Sequence, residues 1–303
     1  MLNQSTIGGP VSVSGKGLHS GREVHVHFKP APENHGIVFQ RVDLEDKPLI
    51  HADVSNVYDT SRGTSLMENG AKVKTVEHLM AALAGLSIDN VLVEVDAAEI
   101  PILDGSAKIF VELLTKAGVK EQSQPREYIV IENEIHFKRN GSGTELIIRP
   151  ADRFKVNVKV DYGTKVLADQ QMSIDDMQDF IPHIYDSRTF VFLHELQFLI
   201  QHNLAKGGDV DNAIVFVDKK PEPEVLQQLA IFFNKKNMEV MEDGVLNHNP
   251  LHHENEPARH KLLDLIGDLY LLGKPIKGEI TAIRPGHFAN TEFAKLIAED
   301  MAM

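Results

Sequence analysis

The chain has 303 residues, of which 42% are hydrophobic and 25% are charged, and this predicts a soluble globular protein of about two domains. A formal net charge of −13 argues against a nucleic-acid-binding protein that works through a broad basic surface. The absence of cysteine excludes disulfides and thiolate metal ligands. No nonpolar run approaches the roughly 18 residues of a membrane span, and no signal peptide is recognisable, so we expect no stable membrane insertion and a cytoplasmic location.

The first part of the chain predicts strands, one hairpin and two helices. In order, the expected elements are strands over 24–28 and 36–39, a hairpin within 61–75, a helix over 75–86, a strand over 90–95, a loop over 101–106 and a helix over 108–117. Asn69 and Gly70 predict the turn of the hairpin, and Thr75 is expected to cap the first helix. The segment 122–126, Gln-Ser-Gln-Pro-Arg, is the best candidate for a linker.

The second part of the chain continues the alternation of strands and helices. Its expected elements are a strand over 128–131, a hairpin around 140–141, a strand over 154–160, a helix over 192–204, a strand over 212–217, helices over 224–234 and 260–272, and a strand over 278–284. This alternation predicts an α/β (α+β) protein, with domains at 1–125 and 126–303.

Two segments of the chain resemble each other. A helix that opens at Glu77-His78 ends near Gly85 and leads into a strand, and a helix that opens at Arg259-His260 ends near Gly273 and also leads into a strand. Two similar α/β halves, each with an insertion, would explain this repetition. A chance likeness of helix–glycine–strand units would explain it as well.

The helix that opens at Arg259-His260 has one nonpolar and one polar arc. At about 100° per residue, His260, Asp264 and Asp268 fall together, with Lys261 beside them. The opposite arc carries Leu262, Leu263, Leu265, Ile266 and Leu269. An imidazole and a carboxylate one turn apart can form half of a divalent-metal site. Taken alone, this pattern is more typical of a solvated polar face.

The earlier helix supplies the missing half of such a site. If the two helices pack face to face, His78, His260 and Asp264 form a His/His/carboxylate set. Three protein ligands with an open fourth position are the usual arrangement of catalytic zinc. Glu77, adjacent to a ligand, is suited to be a general base. Two unrelated polar helix faces remain the alternative.

Three other groups of histidines are weaker candidates for a metal site. They are His194 with Glu195, His25 with His27, and His252 with His253. Phe198 stands where the His-Glu-x-x-His motif of zinc proteases requires its second histidine. A solvated strand face accounts for the second group, and a loop that includes 247–250 accounts for the third.

Several motifs occur together and in a fixed order. They are Gly17-Leu18-His19-Ser20-Gly21, Thr75-Val76-Glu77-His78-Leu79, Ile100-Pro101-Ile102-Leu103-Asp104-Gly105-Ser106, Ser187-Arg188-Thr189-Phe190, and Arg259-His260-Lys261 with Asp264, Gly267 and Asp268. With them, the chain from about Thr6 to Leu296 resembles the zinc-dependent UDP-3-O-acyl-N-acetylglucosamine deacetylases of bacterial lipid A biosynthesis. The resemblance implies two similar α/β sandwich domains with a metal site between them. It also implies a hairpin insertion near 58–74 and a βαβ insertion near 190–217.

The resemblance implies a reaction and a cofactor. The enzyme would hydrolyse the acetamide of UDP-3-O-(3-hydroxyacyl)-N-acetylglucosamine to acetate and a free amine, which is the committed step of lipid A synthesis. His78, His260 and Asp264 would bind one Zn²⁺ ion, and Glu77 would activate water.

Four further residues receive catalytic roles from the resemblance. His287 would be a cationic stabiliser or the acid for the leaving amine, and Asp268 would hold it protonated. Thr189 would donate a hydrogen bond to the developing oxyanion, and Lys261 would add positive charge nearby. Without the resemblance, His287 would be interpreted as a loop histidine.

The resemblance also makes the segment 190–217 a passage for the acyl chain of the substrate. The implied substrate-binding residues are Leu18, Phe190, Leu196, Ala205, Gly208, Val210, Ala213 and Val215. Packing of a hydrophobic core equally explains nonpolar residues in a βαβ unit. Both interpretations can hold, because the wall of a passage is also the surface of a core.

The chain departs from the family pattern at two positions. Asp186 stands where many relatives carry arginine, and Arg62 stands where a nonpolar residue is common. Some relatives continue into a fused hydroxyacyl dehydratase domain, so a fused or partner module of this kind is a further expectation. The competing hypotheses are a nonenzymatic sugar-nucleotide or lipid-binding protein and a deacetylase of another amino sugar.

Overall fold

A computed structural model describes residues 2–202, 204–246 and 250–302. Its strands are β1 (Asn3–Ile7), β2 (Val11–Lys16), β3 (Glu23–Pro30), β4 (Ile37–Arg41), β5 (Leu49–His51), β6 (Val57–Asp59), β7 (Ser65–Glu68), β8 (Ala71–Val73), β9 (Val91–Val95), β10 (Val119–Pro125), β11 (Ile129–Val130), β12 (Ile135–Arg139), β13 (Thr144–Arg149), β14 (Phe154–Val160), β15 (Gln170–Ile174), β16 (Phe190–Phe192), β17 (Ile214–Phe216) and β18 (Ile276–Ile283). Its helices are α1 (Glu77–Gly85), α2 (Lys108–Ala117), α3 (Phe180–His183), α4 (Leu193–Gln201), α5 (Pro223–Phe232), α6 (Glu256–Leu269) and α7 (His287–Ala302). This mixture of elements confirms the predicted α/β class.

The two main sheets have the same topology. The first has the order β2-β3-β9-β4-β5, and the second has β12-β13-β18-β14-β15, with β11 added beside β18. In each, the central strand comes last along the chain, pairs parallel with one neighbour and antiparallel with the other, and is preceded by a helix, α1 or α6. The shared order favours two repeated units over a chance likeness. The domain boundary near 125 stays a prediction.

The helices α1 and α6 pack against each other inside one continuous hydrophobic cluster. That cluster contains buried side chains of both sheets and of both helices. Gly267 of α6 lies so close to α1 that a Cβ atom there would be 2.0 Å from the Glu77 carbonyl oxygen. Because only glycine fits at this crossing, the backbones of the two helices can approach closely.

The two insertions lie outside these sheets. The strands β6, β7 and β8 form a three-stranded sheet, with Asn69 and Gly70 at the predicted hairpin turn. The parallel pair β16 and β17 is joined by α4, as the predicted βαβ unit requires. The second insertion and the segment up to 246 pack, together with Leu167, into two small hydrophobic clusters separate from the main one. No helix in the described ranges is long and nonpolar enough to cross a membrane.

Local patterns placed some boundaries wrongly. Thr75 does not cap α1, which begins at Glu77 after Val76, because the Thr75 hydroxyl donates to Glu99 (3.4 Å) instead. The proposed linker 122–126 belongs largely to β10, which pairs with β1. The helix expected from 260 begins at Glu256, and α7 was not predicted at all.

Candidate active site

The predicted metal trio comes together where α1 meets α6. His78 is the second residue of α1, and His260 and Asp264 lie one turn apart on α6. The Oδ1 atom of Asp264 lies 3.6 Å from His78 Nε2 and 3.4 Å from His260 Nε2. All three side chains are buried, and their candidate ligand atoms lie within 4.8 Å of one another. Among the residues described, no other group of histidines and carboxylates meets this spacing.

The chemistry of these three residues fits a divalent cation. Asp264 Oδ2 accepts a hydrogen bond from Lys261 Nζ (2.8 Å), whereas the buried Oδ1 atom has no hydrogen-bond partner within the described ranges. A carboxylate oxygen buried without a donor is costly unless a cation compensates it. His260 Nδ1 lies 3.0 Å from the Ser187 carbonyl oxygen and donates to it, which turns the Nε2 lone pair towards Asp264. Burial lowers the pKa of His260 to about 3 against the opposing field of Asp264, so its imidazole is neutral and can bind a metal.

Glu77 presents a buried carboxylate beside the trio. Its Oε2 atom accepts a hydrogen bond from the Thr64 backbone N–H (2.9 Å), and its Oε1 atom lies 4.0 Å from His287 Nε2. A Cβ atom at Gly63 would lie 2.7 Å from Oε1, so glycine leaves room for this carboxylate. Burial raises the pKa of Glu77, although His287 and His78 oppose the rise. A carboxylate of raised pKa is well suited to accept a proton near neutral pH.

His287 opens α7 and faces Glu77 across the site. Its Nδ1 atom lies 3.0 Å from Asp268 Oδ2, which also accepts a hydrogen bond from Asn290 Nδ2 (2.8 Å). Burial lowers the pKa of His287, but the carboxylates of Asp268, Asp264 and Glu77 outweigh it and raise the pKa to about 9. The ring is therefore cationic at neutral pH, and Asp268 fixes its orientation.

Lys261 and Phe190 lie on the α6 side of the site. Burial by itself would lower the pKa of Lys261. The opposing effects, of which that of the Asp264 carboxylate is the largest, outweigh burial, so the pKa of Lys261 lies above its ordinary value. The ammonium group also lies 5.4 Å from the centre of the Phe190 ring, and this ring is 6.3 Å from the His260 ring. A fixed positive charge therefore borders the metal trio.

Thr189 is held in place by its backbone. Its N–H donates to the Gly105 carbonyl (2.7 Å), and its own carbonyl accepts from the N–H of Ile214 (2.8 Å). A Cβ atom at Gly105 would lie 2.0 Å from the Asn212 carbonyl oxygen, which explains glycine at this junction. The role of the Thr189 hydroxyl at an oxyanion stays a prediction.

The implied passage residues lie mainly within the second insertion. The loop of Leu18 meets this insertion, since the Leu18 carbonyl accepts a hydrogen bond from the Gly207 N–H (2.9 Å), and Gly208 lies beside the Leu18 side chain. The remaining positions are buried or half-buried: Leu196, Ala205, Val210, Ala213 and Val215. Leu196, Val210 and Val215 belong to one small hydrophobic cluster. Core packing therefore accounts for these three, and their contact with substrate stays a prediction.

A buried ion pair that the sequence analysis did not assign supports the site. Glu256 Oε1 accepts hydrogen bonds from both the backbone N–H and Nε of Arg188 (2.9 Å each), and Oε2 accepts from Arg188 Nη2 (3.0 Å). Both side chains are almost inaccessible to solvent. The pair ties the segment that carries Ser187 and Thr189 to the first turn of α6, and this positions the carbonyl that orients His260.

Thr64 and Asn290 are further supporting residues that sequence patterns did not indicate. The Thr64 backbone binds Glu77, while its hydroxyl donates to Asp268, so one residue joins the two carboxylates. Thr64 is fully buried, and nothing in its local sequence marks it as part of a site.

The other candidate histidines have ordinary polar partners. These pairs are His25 with Asp96 (2.8 Å), His27 with Ser12 (2.6 Å), His194 with Asp218 (3.5 Å) and His253 with Asp186 (3.1 Å). The unusual Asp186 thus contacts the loop that precedes α6. Residues 247–249 of that loop lie outside the described residues. The unusual Arg62 contributes its carbonyl, which lies 3.1 Å from His19 Nε2.

Comparisons with known proteins agree with this geometry. The family LpxC, described as UDP-3-O-acyl N-acetylglycosamine deacetylase, matches residues 4–230 and 232–299. The bifunctional enzyme LpxC/FabZ of Bacteroides thetaiotaomicron is 46% identical over 303 residues, which cover 100% of this chain and 66% of the relative. The corresponding enzyme of Porphyromonas gingivalis is 44% identical, covering 99% of this chain and 65% of the relative.

A shorter relative matches along most of its own length. The UDP-3-O-acyl-N-acetylglucosamine deacetylase of Pseudomonas entomophila is 40% identical, over 99% of this chain and 91% of the relative. In contrast, the chain spans just under two thirds of the length of the bifunctional relatives. These matches and the predicted motifs lead to one conclusion: the chain belongs to the LpxC family of UDP-3-O-acyl N-acetylglycosamine deacetylases.

Proposed function

We propose that this protein is a zinc-dependent amidase that removes acetate from UDP-3-O-(3-hydroxyacyl)-N-acetylglucosamine in the committed step of lipid A synthesis. The proposal is carried by the Asp264 Oδ1 atom, which is buried and has no hydrogen-bond partner in the part of the chain that the structure describes. The Nε2 atoms of His78 and His260 face this oxygen, and Glu77 and His287 flank it. The names of the relatives support the substrate class.

The three ligand residues supply two nitrogen donors and one oxygen donor, a set typical of catalytic zinc. A zinc ion bound there supplies a Lewis acid that polarises the acetamide carbonyl and makes water more acidic. The chain's own task is to hold the ligands in place. The Ser187 carbonyl and the Lys261 ammonium do so by fixing His260 and Asp264.

Glu77 accepts the proton of the attacking water in this proposal. Its carboxylate is buried and its pKa is raised, so it is a stronger base than an exposed glutamate. The oxygen of that water forms the new bond to the acetamide carbon. Negative charge then develops on the carbonyl oxygen, where Lys261 and the Thr189 hydroxyl provide stabilisation.

His287 has the opposite character to Glu77. Its raised pKa keeps it protonated at neutral pH, so it can stabilise negative charge or donate a proton to the nitrogen as the C–N bond breaks. Glu77 could deliver the same proton after accepting it from water, and the 4.0 Å between the two groups allows them to share this step. The products are acetate and the amine of the glucosamine.

Metal analysis combined with an acetate-release assay tests the mechanism. The wild type and the control Glu94→Gln, a half-buried position on β9 whose carboxylate pairs with Lys29 (2.6 Å), are expected to bind about one zinc ion per chain and to release acetate. Glu77→Gln is expected to keep its zinc and to lose about 10²- to 10⁴-fold in rate. A wild type that binds no zinc, or a Glu77→Gln enzyme with the wild-type rate, would contradict the proposal.

The second insertion is proposed to select for the acyl chain. Its nonpolar residues extend from Phe190, beside His260, to the contact with the Leu18 loop. A substrate that lacks the 3-O-acyl group is therefore expected to react more slowly. Equal kcat/KM values for the two substrates would favour the competing hypothesis of a deacetylase for another amino sugar.

Two further proposals concern location and partners. A cytoplasmic location fits a chain without cysteine and a nucleotide-linked substrate. The names of the bifunctional relatives support a hydroxyacyl dehydratase module as a fused or separate partner. Co-purification from the native organism, followed by mass spectrometry of the intact chain and its partners, distinguishes a fused module, a separate partner and neither.

A further inference from the structure

A cavity of about 650 Å³ lies at the C-terminal ends of α1 and α6. It is lined by Gly85, the last residue of α1, and by Leu269, the last residue of α6. His78 and His260 lie near the starts of these helices, and Asp264 lies past the middle of α6. Strand β18 starts at the cavity with Ile276 and leads to His287 at the active site. None of the residues assigned to the metal site lines this cavity.

The floor of the cavity is nonpolar. Ile266, Leu269 and Ile276 line it and are almost fully buried. Two nonpolar side chains at its edge, Leu2 and Val130, are 66% and 57% exposed. A concave nonpolar surface of this volume with a few polar groups at its edge is typical of a small-molecule site.

One edge of the cavity carries positive charge. Lys277 Nζ lies 4.7 Å from the centre of the Tyr128 ring, and among the described residues no carboxylate oxygen lies within 4.0 Å of it. Arg153 immediately precedes the neighbouring strand β14, and its carbonyl accepts a hydrogen bond from the Gly278 N–H (3.2 Å). Its only charged contact in the described chain is a long one, 3.6 Å, to the exposed Asp152, which also lines the cavity. Both cations can therefore receive an anion.

The side of the cavity formed by the end of β15 carries Asp176. This residue follows β15, which is two strands away from β18, or about 10 Å at the usual spacing of strands. Its carboxylate already accepts a hydrogen bond from the Gln178 N–H (3.0 Å). Because β14 and β15 are antiparallel and Val156 pairs with Ile174, Asp176 lies one strand from the start of β14 and so near Arg153, whereas Lys277 on β18 is two strands away. A negatively charged group is therefore expected at Lys277, with Arg153 as a second donor.

We propose that this cavity binds a single-chain amphiphile with an anionic head, of the class of fatty carboxylates. Its hydrocarbon chain lies on the floor formed by Ile266, Leu269 and Ile276, and its carboxylate accepts hydrogen bonds from Lys277 and Arg153. The site is separate from the acyl passage proposed in the second insertion. It does not depend on the proposed reaction, because it uses none of the residues of the metal centre.

Photo-crosslinking to the full chain tests this site, because the position of the adduct separates it from the acyl passage. The probe is myristate that carries a diazirine on its chain, and adducts are located by peptide mass spectrometry. We expect adducts within 126–130 and 266–277, whether or not the probe also labels the acyl passage at 190–217. Adducts confined to 190–217 would overturn the proposal.

Charge variants test the recognition of the head group. Lys277→Glu is expected to lower labelling of the cavity by about tenfold, as expected for the loss of a charge-assisted hydrogen bond, without changing adducts at 190–217. Lys72→Glu is the matched control, since Lys72 also lies over a tyrosine ring, 5.0 Å from the centre of Tyr58, but outside the cavity. Unchanged labelling in Lys277→Glu, or an equal loss in Lys72→Glu, would contradict the assignment.

A neutral probe separates the charge from the hydrocarbon chain. The corresponding alcohol with the same diazirine is expected to label the cavity about tenfold less than the carboxylate. Equal labelling by both probes would exclude recognition of an anion. Lys277→Gln, which is less disruptive than Lys277→Glu, is expected to reduce labelling by the carboxylate and not by the alcohol.

Discussion

The helix pair α1 and α6 and the second insertion both carry residues of the proposed active site, but they are built differently. Side chains of the helix pair belong to the hydrophobic cluster that both main sheets share, and the metal trio projects from this cluster. The insertion packs instead into two small clusters, which it shares with Leu167 and with residues of the segment 229–246. A change in the helix pair is therefore expected to affect metal binding and folding together. A change in the insertion is expected to alter substrate selection and to leave the metal centre intact.

The strongest test of this contrast compares one histidine from each region. His260→Ala is expected to weaken zinc binding by more than about a hundredfold and to abolish acetate release, because it removes a buried ligand. His194→Ala, on α4 of the insertion, removes an exposed imidazole and is expected to leave both properties unchanged. Competition with a zinc chelator measures the affinity. Equal effects of the two substitutions would contradict the contrast.

Two glycines test the same contrast through stability. Gly267→Ala would place a Cβ atom 2.0 Å from the Glu77 carbonyl oxygen, so α1 and α6 must separate. We expect a loss of about 3 kcal/mol or more in the free energy of unfolding. Gly208→Ala in the insertion meets its nearest atom, the Ala205 carbonyl oxygen, only at 3.2 Å, and about 1 kcal/mol or less is expected. Denaturant unfolding checks both values, and a larger loss for Gly208→Ala would reverse the comparison.

The Arg188–Glu256 pair connects the two regions, so its loss should affect both. Glu256→Gln leaves a buried guanidinium without its carboxylate and is expected to cost about 3 kcal/mol of stability. Because the pair positions the Ser187 carbonyl, zinc affinity is also expected to fall about tenfold. Glu254→Gln, two residues away, is the control. A stability loss with unchanged zinc affinity would limit the pair to a structural role.

A smaller effect is expected where the insertion alone changes. Val210→Ala removes two methyl groups from its cluster and is expected to lower the melting temperature without changing zinc content. The preference among acyl-chain lengths, measured as a ratio of kcat/KM values, is expected to change by about tenfold. An unchanged preference would assign Val210 to core packing alone.

The smallest effect lies outside both regions and concerns pH. A hydrogen bond from Arg41 lowers the pKa of Asp43 below its ordinary value, despite partial burial. The pair therefore stabilises the folded chain at pH values above the ordinary pKa of aspartate. This contribution is lost as the pH falls through the lowered pKa of Asp43. Asp43→Asn is expected to reduce the acid dependence of the free energy of unfolding slightly, without affecting zinc binding. An unchanged pH profile would show that solvent screens the pair.

The sequence placed His260 and Asp264 on one helix face because that pattern is local. Their pairing with His78, far away in the chain, rested on the repetition and on the family resemblance. The α/β class also followed from local patterns. The structure confirms the α/β class and brings the three side chains together. Their roles in metal binding and catalysis stay predictions.

The errors arose where distant residues decide the structure. Thr75 could not be excluded as a cap without Glu99, and 122–126 resembles a linker until β1 pairs with it. The start of α6 depends on Glu256, whose partner Arg188 is far away in the chain. Propensity and periodicity describe neighbours along the chain, so they do not encode such pairings.

The repeated strand order has a consequence for how the molecule becomes active. The first unit contributes His78 and Glu77, and the second contributes His260, Asp264 and Asp268, so neither unit alone carries all three of the proposed metal ligands. Each unit can form its own sheet from nearby segments, but the trio exists only after the two units have docked. Closing contacts between such distant segments is slow compared with local folding. Metal capture is therefore expected to be a late event in folding, and the ion stabilises the docked chain over any partly assembled one.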